Sequence, residues 1–139
     1  MEIFKILHHI GIVLGFGGAA VSSGMMLFIQ TDEKRLQRGR MARRICLATW
    51  TGLVLLILSG ISLTIDFQGV YKYILAAKHL FVAIIVIDAF IIHFRLFPRY
   101  FRRIGTPDFD PTYSTMRRIG VLSMSCWILT IILSGFLGR

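Results

Sequence analysis

Residues 72–97, KYILAAKHLFVAIIVIDAFIIHFRLF, decide the fold. A helix of about 20 residues crosses a hydrocarbon core of roughly 30 Å, and inside this stretch the apolar run is interrupted by Lys78, His79, Asp88, His93 and Arg95. Three more stretches of the same kind flank it, at about residues 4–30, 44–66 and 117–138. The 139-residue chain is 55% hydrophobic with a mean hydropathy of +0.71, too apolar for a soluble domain of this length. The expectation is an all-α integral membrane protein: one domain, a four-helix transmembrane bundle whose partner is the lipid bilayer.

A net charge of +9 raises the question of nucleic acid, but the basic residues are segregated by loop. Lys34, Arg35, Arg38, Arg40, Arg43 and Arg44 follow the first span, and Arg95, Arg99, Arg102, Arg103, Arg117 and Arg118 surround the loop between the third and fourth. Lys and Arg are retained on the cytoplasmic side of short loops, which predicts both basic loops in the cytoplasm, both termini outside, and anionic headgroups as counter-charges. Neither run interleaves aromatics on a recognition element, so no nucleic-acid partner is expected. Cleavage of the first span as a signal peptide would translocate the Lys34–Arg44 run, against the same rule, so that span is expected to stay as an anchor. Cys46 and Cys126 form no Cys-x-x-Cys pair and are expected to be packing residues.

The loop from Pro98 to Met116, with Pro98, Gly105, Pro107 and Pro111, is expected to be irregular and to separate two similar helical hairpins. Ser59-Gly60 near the end of the second span is matched by Ser134-Gly135 in the fourth, and Trp50 by Trp127. Tyr71, Tyr73, Phe67 and Trp50 are assigned to interfacial or packing roles.

All four histidines lie in apolar spans, where ionisable groups are costly and face the bundle interior. His8 stands about four residues into its span and His79 about seven, roughly 6 to 11 Å below the outer surface. His8 shares a helix face with Gly11, Gly15, Gly18 and Ser22. Such a face packs closely against another helix, or admits a flat macrocycle beneath the histidine. His9 projects to the side as a supporting residue. His79 and His93 are four turns apart, about 21 Å along one face, resembling the paired histidines of di-haem membrane cytochromes b. The second and fourth spans hold no histidine to pair with His93, so one haem b is expected, its iron bound by His8 and His79. Copper is the alternative metal, although Met25 and Met26 lie about 25 Å from His8. Hydrogen bonding across the bundle without metal remains open. Lys78 must snorkel, pair, or hold a ligand such as a propionate. Asp88 calls for a hydrogen-bonded partner, with Thr49, Thr51, Ser123 and Thr130 as candidates, or a place in proton transfer.

The opening Phe4-Lys5-Ile6-Leu7-His8-His9-Ile10-Gly11-Ile12-Val13 and the segment Ala77-Lys78-His79-Leu80-Phe81-Val82 resemble the HemJ proteins, small membrane protoporphyrinogen oxidases, and the related CopD-like four-helix proteins. The resemblance implies that His8 takes the first-helix histidine position and Lys78 the lysine position, both tied to haem and activity. Where the HemJ pattern continues with Trp-Phe-x-Gly and a deeper arginine, this chain has Leu14-Gly15-Phe16-Gly17-Gly18 and no arginine before Arg35. The expected function is therefore a haem b membrane redox protein in a bacterial or archaeal cell membrane. A protoporphyrinogen oxidase and a non-catalytic subunit of a larger membrane redox complex, or a copper-handling CopD-like protein, are the alternatives, and a homodimer is a further expectation for so small a bundle.

Overall fold

The computed structural model describes residues 2–27, 31–63 and 71–137. Phe67 and the predicted span ends at 28–30, 64–66 and 138 lie outside the described residues. Four helices are each long and apolar enough to cross a membrane: α1 (Glu2–Leu27), α2 (Asp32–Leu63), α3 (Tyr71–Arg103) and α4 (Phe109–Leu137). Among the described residues there is no strand. This is the architecture expected where lipid offers the backbone no hydrogen-bond partner, so every N–H and C=O is satisfied within its own helix. The protein is an integral membrane protein folded as a four-helix bundle.

α1 packs along α2 and α3 along α4, while contacts between these two hairpins are sparse. The α1–α2 seam is close because it is built from glycine. A Cβ on Gly11 would lie 2.9 Å from Leu56 Cγ and 3.0 Å from the Gly52 carbonyl oxygen, and one on Gly18 would lie 2.7 Å from Thr49 Oγ1. Gly15 faces α4, where its Cβ would meet Trp127 Cη2 at 2.6 Å. Without a hydrophobic drive between helices in lipid, such close approach supplies the packing.

The helices run past the apolar stretches. Of residues 31–43, expected as a loop, 32–43 are the first turns of α2: Asp32 and Glu33 sit where they complement the helix dipole, and Asp32 pairs with Arg35 at 3.0 Å. The break expected from Pro98 to Met116 shrinks to residues 104–108. Pro98 has no N–H and its ring crowds the carbonyl four residues back. The chain answers by widening into a π-helical stretch, Ile91–Leu96, in which the Phe97 N–H reaches the Ile92 carbonyl, and α3 then continues to Arg103. Gly105 at φ +79° makes the turn, which Thr106 and Phe109 N–H bonds to the Arg103 and Thr106 carbonyls close. Pro111 falls in the first turn of α4, where a missing N–H is tolerated.

The basic end is stitched together by side chains. Tyr100 Oη donates to the Arg35 carbonyl at 3.0 Å, the Arg35 guanidinium lies 4.2 Å from the centre of the Phe109 ring, and Arg103 donates to Thr112 Oγ1 at 2.6 Å. Beneath them Phe97, Tyr100, Phe109 and Met116 form one apolar cluster, and Leu53, Ile85, Cys126 and Trp127 form another at mid-bundle.

Candidate functional site

His8, Lys78 and His79 line one cavity at the end of the bundle opposite the basic residues. It lies between the hairpins, with Leu56 and Gly60 of α2 and Trp127, Thr130 and Ser134 of α4 completing the wall. Residues about half the chain apart in sequence, and carried by different hairpins, thus line one cavity. His8 Nδ1 is 3.0 Å from Ser59 Oγ. That hydroxyl donates its own hydrogen to the Leu55 carbonyl at 2.6 Å, so it accepts from the imidazole, and His8 carries its proton on Nδ1. The ring edge lies over Gly60, whose Cβ would be 4.0 Å from His8 Cε1.

His79 is oriented by the same logic from its own helix. Its Nδ1 lies 2.7 Å from the Leu75 carbonyl oxygen, which can only accept. Both rings are thus held through Nδ1, His79 at an exposed position; in a neutral imidazole held this way Nε2 is the nitrogen that can bind a metal. The cavity measures about 90 Å³, against the roughly 300 Å³ at which cofactor pockets begin. Imidazoles are donors that haem iron takes, but a cavity of this size does not hold a macrocycle, which would need the hairpins to part along their sparse seam.

Other predicted residues fall elsewhere. Gly11, Gly15 and Gly18 do not line this cavity and pack against α2 and Trp127, the close helix packing that was one of the two readings of that face. His9 is exposed and bonds the Lys5 carbonyl at 2.7 Å. His93 sits in the π-helical stretch, edge-on to Phe94 with centroids 4.9 Å apart. Asp88 is buried, lies outside the histidine cavity, and leaves Oδ2 without a hydrogen-bond partner. None of its four candidate partners bonds that atom: Thr51 and Thr130 donate to carbonyls of their own helices, and the Thr49 hydroxyl is itself unpartnered. Cys46 and Cys126 are free thiols, Cys46 with Sγ 3.9 Å from Ser22 Oγ. No group of three or more His, Cys, Asp or Glu able to hold a bare metal ion occurs among the described residues.

Sequence reasoning passed over Ser59 as the partner of His8, although a hydroxyl beside Gly60 at the matching depth was the available signal. It also passed over a second, larger cavity of about 260 Å³ nearer the basic end, lined by Thr49, Trp50, Ser123 and Trp127 among others. Trp127 is a wall of both cavities. No family model, no curated protein and no solved structure matches the chain.

Proposed function

We propose that the protein is a haem b-binding redox protein of the membrane, in which His8 and His79 would hold the iron and Lys78 would partner a propionate. The observation that carries this is the convergence of His8, Lys78 and His79 on one cavity, with each imidazole bonded through Nδ1. A haem held by two imidazoles supplies one-electron transfer. The chain's own residues do the rest: Ser59 and the Leu75 carbonyl fix the two rings, Gly60 leaves room beside His8, and the seam between hairpins is where opening disturbs the least packing. The twelve clustered basic residues support a topology with the basic end in the cytoplasm and both termini outside.

Lys78 in the same cavity favours a second reading, a HemJ-like protoporphyrinogen oxidase in which that ammonium holds a substrate propionate. The visible spectrum of the purified chain tests the primary reading. A Soret band with sharp reduced α and β bands is the expected result; a colourless protein that also takes up no added haem overturns it. Turnover of protoporphyrinogen by the haem-loaded chain, lost in Lys78→Met, would select the enzymatic reading.

A further inference from the structure

We propose that the larger cavity binds a lipid-soluble carbonyl compound of quinone type, taken from the bilayer through the gap between α1 and α4. This cavity shares the Trp127 wall with the histidine cavity but no other lining residue among the described residues, and the proposal does not rest on haem. Its volume of about 260 Å³ exceeds the roughly 150 Å³ of an apolar cavity that holds benzene, so a ring with substituents fits. Its mouth is apolar and faces outward: Leu27 on α1 and Val121 and Ile128 on α4 line it and are all about half exposed. A ligand arriving there comes from lipid.

The deep wall is where the chemistry lies. Thr49 and Trp127 line the cavity, are 6% and 1% exposed, and leave Oγ1 and Nε1 without partners. An indole N–H can only donate and a hydroxyl carries one donor, and a buried donor without an acceptor is costly. The wall therefore asks for an apolar ligand with acceptor oxygens. A lipid acyl chain, even with its phosphate at Arg117 on the rim, would leave both donors bare. A flat ring carrying two carbonyl groups would supply an acceptor to each.

The chain's two tryptophans, Trp50 and Trp127, both line the cavity, so intrinsic fluorescence of the full chain in detergent micelles reports its occupancy. The probe is 2-methyl-1,4-naphthoquinone; 2-methylnaphthalene serves as a competitor of the same shape without carbonyls. Saturable quenching is expected, with half-saturation raised about 3- to 10-fold by the isosteric Thr49→Val, and the hydrocarbon displacing the quinone only at tenfold or greater excess. Ala89→Leu, which fills the cavity, should abolish saturation; if that variant does not fold, Thr49→Val decides alone. Quenching that rises linearly with the same slope in Thr49→Val overturns the proposal, as does displacement by 2-methylnaphthalene at equal concentration, which would make this an acyl-chain groove.

Discussion

Replacing Gly52 with alanine should separate α1 from α2 and disturb the histidine site two turns away. A Cβ at Gly52 would overlap the Gly15 backbone nitrogen and lie 2.6 Å from Gly15 Cα and 2.7 Å from the Gly11 carbonyl oxygen. Ordinary contact begins near 3.4 Å, so the helices must part by about 1 Å. No rotamer change relieves a clash of backbone on backbone. Overpacking costs about 1–3 kcal/mol, and a gap of that width forfeits a quarter to a half of each dispersion contact along the seam, so the upper figure applies. Alanine returns about 1 kcal/mol of helix propensity, leaving a net loss of about 2 kcal/mol. Ser59 lies two turns along the same face of α2, and its 3.0 Å contact with His8 would stretch out of hydrogen-bond range. The assay is reversible unfolding in mixed micelles followed by tryptophan fluorescence, with Gly17→Ala as control because nothing lies within 4 Å of a Cβ there. Equal stability of the two variants would refute the packing account.

Ser59→Ala removes the acceptor for His8 Nδ1 and should lower haem affinity about 10- to 100-fold, as loss of such supporting partners does, with little change in unfolding; haem titration by absorbance measures it. Lys78→Met should weaken haem retention or turnover and leave the fold intact by circular dichroism; unchanged retention and turnover would assign Lys78 to snorkelling. For topology, Gln37→Cys and Ser114→Cys, in a background lacking Cys46 and Cys126, should resist impermeant thiol reagents in intact cells, and labelling at both sites would invert the assignment.

Hydropathy made the four spans legible because lipid demands long apolar helices and little else. It could not show where those helices end. Asp32 to Arg43 and Pro98 to Arg103 are helical beyond the apolar stretches, since a helix outside lipid is held by capping, ion pairs and packing such as that of Tyr100 on Arg35, which leave no hydropathy signal. Pro98 looked like a terminator and is instead absorbed by a π-helical stretch. The histidine cavity was half legible: depth along α1 and α3 brought His8 and His79 together, because rise per residue is fixed. The glycine face was assigned correctly to one side of α1, but periodicity cannot say whether a neighbouring helix or a ligand fills it, and Gly52 of α2 fills much of it. The unpartnered Thr49 hydroxyl and Trp127 N–H depend on tertiary packing and had no local signature.

The measurement that bears most directly on the central claim is the reduced visible spectrum of the haem-loaded protein and of its single histidine variants. His8→Ala and His79→Ala should each abolish the low-spin spectrum or convert it to high spin, because each opens one axial position. His9→Ala and His93→Ala, both outside the cavity, should leave it unchanged. A low-spin spectrum that survives both His8→Ala and His79→Ala, or is lost in His9→Ala or His93→Ala while His8→Ala spares it, would contradict the assignment.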